Sequence, residues 1–207
     1  MLQYITNTEC GRPVDEQIRD VIAGGCRWIQ IRMKEASDEE IKRVVEKVVK
    51  LAYDTDTFLL LDDRVALCKE LQMTGVHLGK EDMLPSKARM ELGPAAVIGI
   101  TANTFEDILA VRSLDVDYAG VGPYRYTTTK KNLAPLLGLE GIKALCDKKK
   151  EMELELPLVA IGGIRLEDVK PLLDAGVNGV AVSGAIANAP DMVEATRAFV
   201  ELMPTKV

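Results

Sequence analysis

The chain has 207 residues, of which 47% are apolar and 28% are charged, a composition typical of a globular protein with one sizeable core. Its net charge of −6 argues against a protein that binds nucleic acid or anionic membranes. No segment approaches about 18 consecutive apolar residues, and the first ten residues lack the basic and apolar regions of a leader peptide. We therefore expect a single domain over residues 1–207, located in the cytoplasm, with small molecules as its partners.

The cysteine and histidine content narrows the chemistry further. The four cysteines are scattered and form no C-x-x-C pair, so neither a zinc site nor a disulfide framework is indicated. His77 is the only histidine, which excludes mechanisms that need a histidine pair or a histidine-rich metal site.

Short apolar runs rich in β-branched residues recur along the chain, and each is followed by an amphipathic segment with the period of a helix. The predicted strands cover residues 2–6, 28–32, 58–61, 75–78, 97–101, 118–122, 158–161 and 179–182. The predicted helices cover residues 14–24, 38–54, 64–72, 85–92, 104–114, 138–151, 166–175 and 190–203. Ser37, Thr104 and Pro190 are start signals for three of these helices.

Eight alternations of strand and helix indicate a parallel α/β fold, for which two architectures compete. One is a closed (β/α)8 barrel, and the other is an open, doubly wound sheet. The count of eight favours the barrel, and so does the absence of a G-x-G-x-x-G motif after the first strand. Polar residues also gather at or just past the C-terminal ends of the predicted strands, where barrels have their active sites. We therefore predict a single (β/α)8 TIM barrel.

The second strand and the residues after it, 28-WIQIRMK-34, alternate apolar and polar side chains. Gln30, Arg32 and Lys34 share one face, and in a barrel the two cations would point upward and inward at the top of the strand. Two interpretations are open at this point. The cations line a pocket for an anion, or they have left the strand and reach solvent.

Acidic residues follow the next two strands. Asp62 and Asp63 come at the end of the third strand, and Asp82 follows the fourth strand in 77-HLGKED-82. Carboxylates from neighbouring strand ends suit Mg²⁺, which is commonly bound by one or two carboxylates and by substrate phosphates. Asp63 and Asp82 could instead cap the helices that begin nearby. Cations for an anion beside carboxylates for a metal are what a diphosphate requires, and this combination favours the metal site.

Two further features follow the last three strands. The loop 122-GPYRYTTTKKN-132 supplies threonine hydroxyls and two lysines, which favours an anion-binding lid over a solvated loop. The turns 161-IGGI-164 and 182-VSGAI-186 contain glycines, which let backbone N–H groups approach a phosphate, and barrels commonly bind phosphate at these two places. The sequence thus predicts two anion sites, which would fit two phosphorylated substrates or one long bisphosphorylated substrate.

Taken in order and at these spacings, the motifs resemble those of the thiamine-phosphate synthase family over nearly the whole chain. The resemblance is carried by 30-QIRMK-34, 62-DDRVALC-68, 75-GVHLGKEDM-83, 98-IGIT-101, 120-GVGPYRYTTTKK-131, 138-GLEG-141 and 160-AIGGI-164. It implies a (β/α)8 barrel that joins a hydroxymethylpyrimidine diphosphate to a thiazole phosphate in a dissociative substitution, with Mg²⁺ as cofactor.

The resemblance also implies roles for individual residues that match the family's motif positions. Asp63 and Asp82 match the Mg²⁺ ligands. Residues that match positions for the pyrimidine diphosphate are Gln30, Arg32, Lys34, Thr101 and Lys130, of which all but Gln30 are expected to act in catalysis. Residues that match positions for the thiazole phosphate are Thr127, Thr129, Gly163, Ser183 and Gly184.

Three positions depart from the family pattern. Asp62 stands where many members have Asn, Lys80 where Gln is common, and Tyr126 where Pro is usual. Asp62, which we also expect at the substrate, brings negative charge towards the diphosphate. We therefore expect Mg²⁺ or a nearby cation to compensate it.

Two other functions are compatible with parts of this pattern. The related thiazole tautomerase resembles the synthase but uses a histidine after the fifth strand, where this chain has Asn103. A non-catalytic sensor of phosphate ligands would keep the glycine turns, but it would gain nothing from Asp63, Asp82 and Lys130 together. We therefore predict the synthase.

Overall fold

A computed structural model, which describes residues 1–127 and 134–204, shows a closed barrel of eight parallel strands. Each strand pairs with its neighbours in chain order, and the first strand pairs with the eighth. The predicted barrel is therefore confirmed, and the open sheet is wrong. The strands are β1 (Leu2–Ile5), β2 (Trp28–Ile31), β3 (Phe58–Asp62), β4 (Gly75–Leu78), β5 (Val97–Ala102), β6 (Tyr118–Val121), β7 (Leu158–Ile161) and β8 (Gly179–Val182).

Helices surround the barrel. They are α1 (Val14–Ala23), α2 (Asp38–Asp54), α3 (Val65–Glu70), α4 (Pro85–Leu92), α5 (Phe105–Val111), α6 (Gly138–Glu151), α7 (Val169–Asp174), α8 (Gly184–Ala187) and α9 (Met192–Glu201). A 3-10 turn (Leu166–Asp168) precedes α7 and replaces the first part of the helix predicted over residues 166–175. The four-residue helix α8 was not predicted, because its sequence reads as a glycine turn.

The helix starts follow from local hydrogen bonds. Ser37 and Thr104 cap α2 and α5 as predicted, and each forms a capping box with the residue three positions later. The start predicted at Pro190 is wrong, because α9 begins two residues later. There the side chain of Asp191 accepts a hydrogen bond from the backbone N–H of Glu194 at 3.0 Å and so caps the helix.

The apolar side chains form two separate cores. The larger core lies between the strands and the helices, whereas the smaller core fills the inside of the barrel and includes Ile5, Leu60, Tyr118 and Val159. The ring of Tyr118 lies beside Gly99 on the neighbouring strand, and a Cβ atom at position 99 would approach that ring to 2.1 Å. Every second residue of a strand therefore faces the barrel axis. The polar residues among these lie towards the C-terminal ends of the strands.

Within residues 1–127 and 134–204, no helix combines the length and the apolar character that crossing a membrane requires.

Candidate active site

A cluster of opposite charges lies at the C-terminal mouth of the barrel. Asp62 ends β3, and its carboxylate lies 3.3 Å from Nζ of Lys34 and 3.6 Å from Nε of Arg32. Lys34 also donates a hydrogen bond to Asp63. Contrary to the predicted strand limits, β2 ends at Ile31, so both cations lie just past the strand. They nevertheless face the acidic cluster, which supports the anion-pocket interpretation over the solvated one.

The backbone of Arg32 is fixed by a residue that the sequence analysis did not single out. The hydroxyl of Thr6, after β1, accepts a hydrogen bond from the N–H of Arg32 at 2.8 Å and lies 3.3 Å from its carbonyl oxygen. Thr6 is fully buried. A threonine directly after an apolar strand is too common to have marked this position in advance.

The charged groups in this cluster shift one another's pKa values. Burial raises the pKa of Asp62, although the charges of Lys34 and Arg32 oppose this shift. Partial burial works to lower the pKa of Lys34, but the hydrogen bond to Asp63 and the charges of both acids outweigh it, so the pKa of Lys34 is raised. Lys34 therefore keeps its charge at neutral pH. The nearby cations that we expected beside Asp62 are present.

Asp63 and Asp82 lie at the same mouth of the barrel. Asp63 adopts a φ of 65°, a left-handed conformation that is uncommon for residues other than glycine. Asp82 accepts a hydrogen bond from the N–H of Gly79 at 2.6 Å. The N-cap residues that precede α3 and α4 are Arg64 and Leu84, and neither helix has a side-chain cap. The helix-capping interpretation of the two acids is therefore wrong.

Asp63 and Asp82 fit the donor set of a magnesium ion that also binds substrate phosphates. Burial raises the pKa of Asp82, and the neighbouring carboxylate of Asp63 raises it further. In the part of the chain that the structure describes, no three His, Cys, Asp or Glu side chains converge on one point. Two carboxylates, with the remaining ligands taken from phosphate and water, are a common arrangement for Mg²⁺.

Polar side chains continue below this cluster, inside the barrel. Gln30 is almost completely buried, and its amide Nε2 has no hydrogen-bond partner among the described residues. Thr101, near the end of β5, has its hydroxyl 3.0 Å from Nε2 of His77. Because buried donors are normally paired, the orphaned amide of Gln30 indicates a ligand in the barrel mouth. The predicted binding of the pyrimidine by Gln30 and Thr101 stays a prediction.

The loop after β6 is bound to the glycine turn after β7. Arg125 donates two hydrogen bonds to Asp168, and it donates one to the carbonyl oxygen of Gly163 at 2.8 Å. The hydroxyl of Tyr124 and the N–H of Arg165 donate to the same carboxylate, at 3.1 and 2.8 Å. The sequence analysis missed Asp168, because residues so far apart carry no local signal of pairing. The two predicted anion-binding loops therefore form one unit.

The residues predicted to bind the thiazole phosphate, Gly163, Ser183 and Gly184, have different surroundings. Gly163 has a φ of 65°, and a Cβ atom there would lie 2.9 Å from the carbonyl oxygen of Tyr126. The need for glycine at 163 therefore comes from the neighbouring loop as well as from any phosphate. Gly184 has more room, since its nearest contact would be 3.4 Å from the side chain of Asn188. Ser183 has a buried hydroxyl without a partner among the described residues, as expected of a group that binds a ligand.

Of the remaining residues predicted in the loop after β6, only some lie in the described part of the structure. Thr127 is half-buried at the end of the described part of the loop. Thr129 and Lys130 fall in residues 128–133, outside the described residues, and their roles stay predictions. Lys80, one of the departures from the family pattern, forms an ion pair of 2.6 Å with Asp107 at the start of α5.

Known proteins resemble this chain over almost its whole length. Residues 2–186 match the family model of thiamine monophosphate synthase. A thiamine-phosphate synthase of Bacteroides fragilis is 48% identical over 201 residues, which cover 97% of this chain and 98% of that protein. Another, of Bacteroides thetaiotaomicron, is also 48% identical, over 97% of this chain and 96% of its own length. A solved structure, thiamine phosphate pyrophosphorylase from Pyrococcus furiosus, superposes with a TM-score of 0.85 at 30% identity and covers 97% of this chain and 94% of that one. The chain therefore belongs to the thiamine monophosphate synthase family.

Proposed function

We propose that the protein catalyses thiamine-phosphate synthesis. It joins 4-amino-2-methyl-5-(diphosphooxymethyl)pyrimidine to a thiazole phosphate, or to its carboxylated form, and releases thiamine phosphate and pyrophosphate. The observation that carries this proposal is the placement of Arg32 and Lys34 against the carboxylates of Asp62 and Asp63 at the barrel mouth. Cations for a diphosphate beside carboxylates for a metal ion are what the departure of pyrophosphate requires.

The reaction needs no nucleophile or base from the protein. The bond between the methylene carbon and the diphosphate oxygen breaks, and its electron pair leaves with pyrophosphate. The electron-rich aminopyrimidine stabilises the cation that remains. The lone pair of the thiazole nitrogen then forms the new carbon–nitrogen bond. This agrees with a chain whose only histidine is His77.

The protein contributes electrostatic stabilisation of the leaving group. Arg32 and Lys34 hold the departing pyrophosphate, and Lys130 joins them by its match to the family motif. Because the pKa of Lys34 is raised, this residue keeps the charge that the step needs. Asp63 and Asp82 would hold Mg²⁺, which would neutralise diphosphate charge when bound. Asp62 is balanced by the same two cations that face the diphosphate.

The thiazole phosphate binds on the opposite side of the mouth. Its phosphate is held by Gly163, Ser183 and Gly184 at the ends of β7 and β8, and the hydroxyl of Ser183, which has no partner among the described residues, supports this place. Thr127 and Thr129 of the loop after β6 are assigned to the same phosphate by their match to the family motif. Gln30 and Thr101 bind the pyrimidine ring between the two anion sites. All of these assignments follow from matched positions and the geometry of the barrel mouth.

The tautomerase alternative is not favoured. Asn103, which stands where that enzyme has a histidine, donates its side-chain N–H to the carbonyl oxygen of Gly122 at 2.6 Å. An amide in this position joins two loops and cannot move a proton at neutral pH. A non-catalytic sensor would have no use for the paired carboxylates. We further propose the cytoplasm as the compartment, since the four cysteines are free thiols.

The direct test is to incubate the purified protein with both substrates and Mg²⁺ and to measure thiamine phosphate and pyrophosphate. We expect the two products in equal amounts, with none when either substrate or the metal is omitted. Incubation with the thiazole substrate alone, followed by nuclear magnetic resonance, tests for tautomerisation. Conversion of the thiazole without formation of thiamine phosphate would contradict the proposed function.

A further inference from the structure

A chain of hydrogen bonds runs through the inside of the barrel and ends at Thr101. The side-chain Nε2 of Gln3 lies 2.9 Å from the hydroxyl oxygen of Tyr118, which lies 2.9 Å from Nδ1 of His77. Nε2 of His77 in turn lies 3.0 Å from the hydroxyl oxygen of Thr101. Gln3, Tyr118 and His77 are all buried. The proposed reaction does not use the first three of these residues.

The direction of each hydrogen bond follows from the first one. The amide N–H of Gln3 can only donate, so the oxygen of Tyr118 accepts there. Burial raises the pKa of Tyr118 well above its usual value, so the hydroxyl keeps its hydrogen. In the described residues, His77 is the remaining partner of this hydroxyl, which therefore donates to Nδ1.

The tautomer of His77 then follows. With Nδ1 accepting, a neutral imidazole carries its hydrogen on Nε2, which donates to the oxygen of Thr101. The opposite tautomer would make the oxygen of Tyr118 accept twice and would leave its own buried hydrogen without an acceptor, which is unfavourable. The hydrogen of Thr101 cannot point at His77 in the favoured arrangement. It is therefore available to an acceptor other than His77.

We propose that His77 is a positioning residue: through the chain Gln3–Tyr118–His77 it fixes the hydroxyl of Thr101 as a hydrogen-bond donor towards the substrate. Its acceptor is a ring nitrogen of the aminopyrimidine, an identification that rests on the proposed function. Ring nitrogens become weaker acceptors as positive charge develops on the attached methylene carbon. The bond is therefore stronger in the bound substrate than in the transition state, so Thr101 contributes to substrate binding rather than to the chemical step.

The tautomer can be read without substrate, because His77 is the only histidine and gives one pair of ring-nitrogen signals. We expect ¹⁵N nuclear magnetic resonance of histidine-labelled protein, at a pH where the ring is neutral, to show a pyrrole-type Nε2 and a pyridine-type Nδ1. Tyr118→Phe should shift this pattern towards a mixture of tautomers. Tyr4→Phe is the matched control, since Tyr4 is also fully buried but donates to Gln17 at 2.7 Å on the outer face of the barrel. A protonated Nδ1 in the unmodified protein would overturn the proposal.

Kinetics test the link to the substrate. Tyr118→Phe and Thr101→Val should each raise the KM for the pyrimidine diphosphate by about three- to tenfold, the worth of one net hydrogen bond, with kcat changed by less than about twofold. Tyr4→Phe should keep the KM of the unmodified protein, and Thr101→Ser, which retains the hydroxyl, should restore most of the affinity that Thr101→Val loses. A Thr101→Val variant with lowered kcat and unchanged KM would overturn the proposal. A protein that makes no thiamine phosphate would contradict the proposed function alone, because the spectrum reports the tautomer independently.

Discussion

The guanidinium group of Arg125 makes two hydrogen bonds to the carboxylate of Asp168, at 2.7 and 2.9 Å, although 43 positions separate the two residues. Arg125 lies in the loop after β6, and Asp168 ends the 3-10 turn after β7. The pair therefore holds together the two loops that we expect to bind the thiazole phosphate. Because the carboxylate is buried and receives further hydrogen bonds, Arg125 and Asp168 form a buried ion pair that links the two loops, unlike a surface ion pair.

Removing the Asp168 carboxylate should destabilise the fold measurably. We expect Asp168→Ala to lower the free energy of unfolding by about 1–3 kcal/mol, since Arg125 and Tyr124 lose a buried, charged acceptor. Asp147→Ala is the matched control, because Asp147 forms an exposed ion pair with Lys143 on α6. Its loss should cost only about 0.3–0.5 kcal/mol. Urea unfolding measures both, and equal effects would show that the Arg125–Asp168 pair contributes no more than a surface pair.

The same carboxylate should make stability depend on pH in the acidic range. Burial alone would raise the pKa of Asp168, but the hydrogen bonds from Arg125, Arg165 and Tyr124 outweigh it and hold the pKa below its usual value. Its stabilisation is therefore fully present above the unfolded-state pKa of about 3.9 and is lost as the pH falls through the lower folded-state value. Unfolding from pH 7 to pH 2 should show the difference between the unmodified protein and Asp168→Asn shrinking below about pH 4. A constant difference would contradict this pKa direction.

Activity should require a divalent metal and both proposed ligands. We expect Asp63→Asn and Asp82→Asn each to lower kcat by about two orders of magnitude, with circular dichroism unchanged. Asparagine is preferred to alanine at position 63, because it tolerates the left-handed backbone found there. Asp54→Asn, an exposed acid paired with Lys50 on α2, should leave kcat unchanged. Protein treated with a chelator should recover activity on addition of Mg²⁺, and full activity without metal would show that the assignment is wrong.

The charge of Arg32 should matter more during the reaction than during binding. Arg32→Met keeps much of the aliphatic bulk and removes the guanidinium, so it should lower kcat more than it raises KM. A charge-assisted, partly desolvated contact contributes about 2–4 kcal/mol, or roughly 30- to 1,000-fold in rate. Arg32→Lys should restore only part of this, since an ammonium group lacks the planar fork. Arg19→Met, on the surface of α1, is the control for loss of a guanidinium. Unchanged kinetics for Arg32→Met would place Arg32 outside the site.

The two glycines predicted to bind the thiazole phosphate should respond differently to the same change. Gly184→Val should raise the KM for the thiazole phosphate with little effect on the KM for the pyrimidine substrate or on stability, because there is room for a Cβ atom. Gly163→Val should raise the same KM and also lower the melting temperature by several degrees, because it strains a left-handed backbone and meets Tyr126. Steady-state kinetics and thermal unfolding separate the two effects. Equal KM increases for both substrates would show that the two anion sites are misplaced.

The sequence predicted the barrel because eight strand and helix periods are local signals that survive in any context. The capping of α2 by Ser37 was equally visible, since the cap and its partner lie three residues apart. By contrast, the capping of α9 by Asp191 was missed, because a proline and an aspartate next to each other are both acceptable starts. The backbone of Asp63, with its positive φ, carried no local signal either.

The parts of the site that the sequence did not predict depend on contacts across the barrel. Arg32 and Asp62 were each identified separately, but their ion pair required the register between β2 and β3. The Arg125–Asp168 ion pair and the chain of hydrogen bonds from Gln3 to Thr101 connect residues from different strands and loops. Residue spacing along the chain cannot predict such pairs, because it does not fix which side chains meet inside a closed barrel.

The ring of Tyr118 fills the space beside Gly99 inside the barrel. This restricts which substitutions the protein can accept at the two positions. A larger residue at position 99 would displace the Tyr118 ring, because even a Cβ atom would come within 2.1 Å of it. Accommodating that residue requires a smaller one at position 118, which in turn deletes the hydroxyl that orients His77. Intermediate steps along this route are unfavourable whichever position changes first. The pair therefore constrains the shape of the barrel interior, and libraries that aim to redesign this interior should vary both positions together.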